Sequence, residues 1–273
     1  MRTVSTRVAL DRPRVVQEIR AAAPLMADLA APVTARAPWL TAVLNHQAAH
    51  HRPGVRPAAV VVAEHRHDRP DAVAFLTLRR RCWVTEVTLL GQSAGPLPPG
   101  RAPSRLLARG PDLADRLAGG ICDLLDSLRG PTRLRLSGLP VGDLTARALA
   151  ARQPDGVIGT GRSVRLVDGL DDAGPAVRSR DPRVLESWLP RLLAHGDDPR
   201  AGGFLRAAAR LHAAIGQVEV AVVADGAVLR AGLLTLVEGA DRWPWWGWTT
   251  IGGLSEEMGA PLVSLTAPAR RWP

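Results

Sequence analysis

Two stretches of this chain carry the same order of elements, and that repetition limits the fold more than any single motif does. Trp39–Gly91 and Phe204–Gly253 each read as a helix opening on an aromatic-Leu pair, then three strands joined by short turns, then a glycine. In the first stretch the strands are Pro57–His65, Asp71–Arg80 and Cys82–Gly91; in the second they are "QVEVAVVADG", "AVLRAGLLTLVEG" and "RWPWWGWTTIGG". Such short connections imply antiparallel neighbours, since a parallel pair needs a crossover of roughly a dozen residues or more. The copies agree in pattern, not in identity, so the repeated object is a supersecondary unit.

Periodic segments fill in the rest. "RPRVVQEIRAAAPLMADLA" places Val15, Ile19 and Ala22 at helical spacing, and "APWLTAVLNHQAAHH" does the same with Trp39, Val43 and Leu44. Pro111–Leu128 is an amphipathic helix with Leu113, Leu117, Ile121, Leu124, Leu125 and Leu128 on one face. "PTRLRLSG" alternates as a strand with Leu134 and Leu136 inward, Asp143 is placed to cap "DLTARALAAR", and "SVRLVDG" is a further strand. "DPRVLESWLPRLLAHG" and "GGFLRAAARLHAAIG" are the helices that precede the second set of strands. The expected class is α/β, with an N-terminal half over 1–160 and a C-terminal, shortened half over 161–273.

The net charge of +9 raises the question of an anionic partner. All 35 basic residues are arginine and they are dispersed, with no basic block longer than "LRRRC" at Leu78–Cys82. Arginine in place of lysine beside abundant Ala, Gly and Pro is the mark of a GC-rich coding sequence, so nucleic-acid binding is not the expected role. Cys82 and Cys122 form no metal-type spacing and suit a reducing, cytoplasmic setting. The opening "MRTVSTRVALDRPRVV" lacks the apolar core of a secretory signal, and there is no apolar run of about 18 residues to span a membrane.

Helix, helix, meander, helix, strand, occurring twice, resembles a tandem pair of GNAT acyltransferase folds, and more narrowly the FemAB-like, CelD/BcsL-type acyltransferases of envelope and polysaccharide modification. The likeness is carried by "APWLTAVL", "AVAFLTLRRRCWVTEVTLLGQSAG", "LRLSGLP", "SVRLVDGL", the helix and meander from Phe204 to Trp248, and the closing "LVSLTAPARRW". The resemblance implies two GNAT-like halves packed together. It also implies acyl transfer from acetyl-CoA or another acyl-CoA, without a metal, to an amine or hydroxyl of a cell-envelope metabolite or glycan precursor. This chain departs from the family's pattern in three places. Only "DDAGPAVRSR" stands where a long basic helix is usual, the final helix is cut to "LSEEMG", and Ala269 holds the position of a tail lysine.

The resemblance also directs attention to loops that follow a third strand, where free N–H groups cradle a pyrophosphate. "QSAGPL" offers Gln92 and Gly95 as cofactor-binding residues, although Pro96 removes a donor. In the second half Gly252 and Gly253, in a tight turn after the third strand, are the matching cofactor-binding candidates, although Ser255 with Glu256 and Glu257 would open a short helix whose acids repel a pyrophosphate. Attack by an amine needs a proton acceptor, for which Glu86, Glu219, Glu238 and Asp241 are available, with Glu238 and Asp241 the candidate catalytic residues. His46, His50 and His51, the loop Glu64–Asp68 and the acidic Asp168–Asp172 lack the spacing of a metal site. Neither cysteine sits where its thiol would be acidified, so transfer would be direct, with no covalent enzyme intermediate.

Four of the eight tryptophans lie within "WPWWGW". In a regular strand Trp243 and Trp245 face one side and Trp246 and Trp248 the other. Pro244 cannot donate to a ladder and Gly247 has no side chain to pack, so this strand is expected at an edge, or bulged. Two readings follow for Trp243, Trp245, Trp246 and Trp248: all pack as core, or one pair is core and the other lines a substrate groove, stacking on a sugar, an acyl chain or a partner. Two other readings compete with the enzyme: a catalytically silent GNAT-like scaffold binding through this strand, and a basic nucleic-acid-binding protein.

Overall fold

The computed structural model describes residues 4–50, 53–64, 69–92, 94, 102–196 and 199–270, with the backbone alone at 199, 200 and 270. The chain opens with β1 (Val4–Ala9), α1 (Arg12–Ala21), α2 (Ala23–Asp28), a 3-10 turn (Val33–Ala35) and α3 (Ala37–Ala49). The first meander is β2 (Val55–Glu64), β3 (Ala72–Arg81) and β4 (Val84–Leu89), followed by β5 (Leu107–Ala108), α4 (Pro111–Ser127), β6 (Thr132–Pro140), α5 (Leu144–Arg152) and β7 (Val157–Asp168). Next come α6 (Leu170–Ala173), β8 (Val177–Ser179), α7 (Pro182–Leu193) and α8 (Pro199–Ala214). The second meander is β9 (Val218–Asp225), β10 (Val228–Glu238) and β11 (Asp241–Thr249), and the chain closes on β12 (Leu254–Arg270).

Contacts divide the chain into two compact units. The larger runs to Ser163, Ala94 excepted, and resumes at Ala260. Among the described residues its sheet has the order β1-β2-β3-β4-β6-β12-β7, with β5 beside β3. β4 and β6 are parallel because α4 crosses between them; the β2–β3, β3–β4 and β6–β12 pairs are antiparallel. The leucine stripe read in α4 lies against one face, where Leu117, Ile121 and Leu124 meet Val60, Leu76, Val87, Leu134 and Leu136. Full burial of one such side chain is worth roughly 1.5–3 kcal/mol. The inner stretches of β2 and β3 are buried residue after residue, so the opposite face is covered too, and α1 packs there on β2 with Val15 and Ile19 buried. Asp143 caps α5 as expected, its carboxylate accepting from Ala146 N–H at 2.9 Å.

The smaller unit is Val164–Gly259. Among the described residues its sheet has four strands in the order β11-β10-β9-β8. α7 and α8 cover one face, with Leu185, Leu189, Leu192, Phe204, Leu205 and Ala208 buried. On the other face Ala221, Val223, Ala231 and Leu233 pack with Leu170 and, at its margin, Leu166, Ile251 and Leu254.

The α/β class and the twice-repeated meander stand as read. The first unit boundary is Ser163/Val164. The second, Gly259/Ala260, reflects the antiparallel pairing of β12 with β6, from Leu262↔Pro140 to Arg270↔Thr132. The segment "LSEEMG" is not a shortened helix but the start of β12. Its acids lie on an exposed strand, where they need no helix N-terminus. The first helical pattern is broken into α1 and α2 at Ala22, immediately before the Pro24 turn.

Candidate functional site

β4 and β6 run side by side from Thr85↔Thr132 to Thr88↔Arg135, and there their ladder stops. Beyond it β6 keeps β12 on its other side, but bulges, with Ser137 and Gly138 together standing opposite Ser264. β4 ends at Leu89 and the chain turns back, Gln92 N–H donating to Leu89 C=O at 3.1 Å. A gap therefore opens between two parallel strands, and the backbone groups that border it need other partners. Gln92 supplies them. Its Oε1 accepts from Leu89 N–H at 3.3 Å and from Ser137 N–H at 3.2 Å, and its Nε2 donates to Ser137 Oγ at 2.5 Å. One residue further along β6, Gly138 C=O accepts from Ser104 N–H at 2.6 Å. Gly138 has φ +79°, and a Cβ there would strike the Ala102 carbonyl oxygen, so only glycine lets the 102–104 segment pass so close. Thr34 Oγ1 donates to the Pro103 carbonyl and the Arg105 guanidinium to the Leu29 carbonyl, which ties down the same segment.

Chemically the gap is a pair of N–H donors that takes an amide oxygen, lined by a strand edge and closed by the protein's own side chain. The sequence marks Gln92 as a cofactor-binding candidate; it does not mark Ser137, which the structure brings to it. The signal available was "SG" at the end of an otherwise alternating strand, where a glycine marks a bulge. Gly95 lies outside the described residues. Among the described residues the next helix after Gln92 begins at Pro111, with Gly110 as its N-cap and Asp112 in the first turn.

β11 is an edge strand and it is bulged, as Pro244 and Gly247 predict. The bulge changes the disposition of the tryptophans. Trp243, Trp246 and Trp248 pair with Leu236, Leu234 and Gly232, which alternate onto one face of β10. Trp245 is the extra residue at the register shift, and its ring meets Phe204 of α8 edge-on at 6.4 Å. All four therefore sit on the helix side, and the expected split of Trp243 with Trp245 against Trp246 with Trp248 does not occur. Trp245 and Trp246 are core, 2% and 8% exposed; Trp243 and Trp248 are half-buried, Trp248 stacking on His195 with ring centroids 3.5 Å apart. Gly247 faces the other way. A Cβ there would come within 2.7 Å of Leu254 and 2.9 Å of Leu166, so its missing side chain makes room for both.

The four acids occupy different settings. Glu238 and Asp241 pair across the exposed turn of the β10–β11 hairpin. Glu219 is buried on β9 in a network with three arginines: Arg242 donates to it at 2.5 and 3.2 Å, Arg178 lies at 3.6 Å and Arg180 at 3.7 Å. The Arg242 hydrogen bonds, reinforced by the neighbouring guanidinium charges against the cost of burial, hold its carboxyl below the usual range. Arg178 also forks onto Asp168 at 2.7 and 3.1 Å and reaches Asp171 at 2.8 Å. A carboxylate so held is a poor proton acceptor, and the network reads as the tie between β8, β9 and β11. Glu86 differs: it is half-buried on β4, in register with Arg79 and Arg133, and no ion pair holds it among the described residues.

Gly252 and Gly253 form a turn with φ +84° and +80°, Gly253 C=O accepting from Gly169 N–H at 2.8 Å. The turn leads into β12, so no helix N-terminus stands behind it to cradle an anion. The 65–68 part of the Glu64–Asp68 loop and His51 lie outside the described residues; at the end of α3 the His46 and His50 rings meet at a tilt of 38°, centroids 4.3 Å apart. Among the described residues no three His, Cys, Asp or Glu side chains are grouped to hold a metal, and no helix is long and apolar enough to cross a membrane. Burial pushes the half-buried Cys122 thiol up, away from the thiolate a nucleophile needs, and Cys82 is exposed in the β3–β4 turn.

No protein-family model and no curated protein matches the sequence. Among solved structures, the chain is similar to a tandem GNAT protein from the clavulanic acid biosynthesis pathway, at 13% identity and TM-score 0.46, covering 98% of this chain and 100% of that one. It is also similar to a conserved protein of unknown function from Enterococcus faecalis V583, described as a probable N-acyltransferase, at 8% identity and TM-score 0.32, covering 96% of this chain and 72% of that one.

Proposed function

We propose that this protein is a GNAT-type acyltransferase that takes the pantetheine arm of an acyl-CoA in the gap between β4 and β6. The observation that carries the reading is the end of the parallel ladder at Thr88/Arg135, which leaves Leu89 N–H and Ser137 N–H facing a gap from both sides. Pantetheine is an extended chain with two amides, and its carbonyls suit those donors as the Gln92 amide does. Glu86 lies on β4 three residues before Leu89, about 10 Å along the strand, and serves as the proton acceptor directly or through a water. The acceptor is an amine or hydroxyl, and the resemblance favours a cell-envelope metabolite or glycan precursor. Attack on the thioester is direct, consistent with the raised Cys122 thiol.

Calorimetric titration with acetyl-CoA, followed by release of free CoA thiol in the presence of an amine panel, tests this. Binding of acetyl-CoA is expected, and Glu86→Gln is expected to keep that binding while slowing transfer by 100-fold or more, on the order of a general base's contribution. Absence of acyl-CoA binding overturns the reading. One observation favours the second reading, a silent scaffold: the donors of the gap are already satisfied by the chain itself.

A further inference from the structure

We infer that Gln92 is a built-in stand-in for the ligand, an amide held in the gap that must swing out before an acyl-CoA can enter. The inference rests on the acyl-CoA reading and names the regulation of that same site. Its grounds are chemical. A primary carboxamide is the protein side chain nearest in kind to a pantetheine amide, with one carbonyl acceptor and N–H donors. Gln92 uses both ends: Oε1 bridges Leu89 N–H and Ser137 N–H, one on each strand, and Nε2 donates to Ser137 Oγ. Those N–H groups are the ones the parallel ladder abandons after Thr88↔Arg135.

The position suits a gate more than a permanent strut. Gln92 is only half-buried, at the last residue of the Leu89–Gln92 turn, with part of its surface open to solvent. The partners it would leave are firmly placed: Leu89 belongs to β4, and Ser137, itself 8% exposed, belongs to β6. The neighbouring segment is different. Ser104 N–H and the Ala102 carbonyl lie on Gly138 and are tied at Thr34 and Arg105, so that end of the gap stays shut and the ligand's amide exchanges with Gln92 alone. A ligand must match what Gln92 gives up before it gains anything, so CoA affinity in the wild-type protein is lowered by the cost of opening.

Gln92→Ala removes the stand-in, and Gln92→Glu keeps the acceptor while making it a stronger, charged one. Affinities of both variants and the wild type for CoA, for pantetheine and for adenosine 3′,5′-bisphosphate are measured by calorimetry. The expected result is CoA and pantetheine binding about tenfold tighter in Gln92→Ala, weaker in Gln92→Glu, and unchanged binding of the bisphosphate, which has no amide arm. Amide hydrogen exchange supplies a readout free of any affinity. Leu89 and Ser137 exchange slowly in the wild type, faster in Gln92→Ala, and slowly again when CoA is added to that variant. If the wild type binds CoA and Gln92→Ala binds it equally or less well, the stand-in is wrong and the acyl-CoA reading survives. If no form of the protein binds CoA, both fall. If Leu89 and Ser137 keep their protection in Gln92→Ala without ligand, Gln92 is not what holds those groups and the inference is overturned.

Discussion

Gly138→Ala measures how closely the 102–104 segment is pressed onto β6, with Gly142→Ala as its control. Both glycines have positive φ, +79° and +86°, so each alanine carries the left-handed backbone cost of about 1–2 kcal/mol. Nothing lies within 4 Å of a Cβ built at Gly142, and that substitution is expected to cost no more than this. At Gly138 the Cβ meets a backbone carbonyl, Ala102 C=O, which cannot rotate aside as a side-chain tip can. The segment must lift, and the Ser104 N–H to Gly138 C=O bond is lost, for about another 1 kcal/mol. Gly138→Ala should therefore destabilise by about 2–3 kcal/mol, clearly more than Gly142→Ala. Urea unfolding followed by circular dichroism, with the slope checked to be unchanged, gives both values. Equal losses at the two positions would show that the segment does not rest on Gly138, and the closed end of the gap would have to be abandoned.

Trp245→Ala should destabilise by about 3–5 kcal/mol, since it empties a buried site against Phe204, while Trp243→Ala at a half-buried position should cost less; the comparison is read from the same unfolding curves, and a larger loss at Trp243 contradicts the bulge placement. For Glu219 the folded-state value lies below the unfolded one, chiefly through its hydrogen bonds to Arg242, so its contribution is complete above about pH 4.3 and disappears as pH falls through the folded value. Thermal melts of wild type and Glu219→Gln should thus differ at pH 7 and converge on acidification; a constant difference between pH 7 and pH 3 refutes the coupling.

Much of this architecture is written locally. The leucine stripe of α4, the Asp143 cap and the two meanders follow from spacing and cap chemistry alone, because each is satisfied within a few residues of itself. What escaped was whatever depends on distant partners. β1 carries the mixed pattern Val-Ser-Thr-Arg-Val-Ala and owes its pairing to β2. The first residues of β12, rich in acids and glycine, form a strand without any local sign of one. In β11, Pro244 and Gly247 announced an irregularity, but which residue would be extra was decided by the register with β10, and that single position moved Trp243 and Trp245 to the face of Trp246 and Trp248. At the gap, Gln92 was legible as a polar residue after a third strand, whereas its hold on Ser137, 45 residues away, was not.

The return of β12 to β6 has a bearing on how the protein is made. Residues of β6 emerge from the ribosome long before their partners in β12, with the whole of Val164–Gly259 translated in between. Until then β6 has β4 on one side and an open edge on the other, exposing N–H and C=O groups along Leu134–Pro140. The larger unit gains its last strand only after the smaller one has been synthesised, so the first-made part of the protein is the last to be completed. Closure then depends on contacts between segments far apart in sequence, which is slow. Chains stalled or cleaved before Ala260 present that bare edge to one another, an invitation to edge-to-edge pairing.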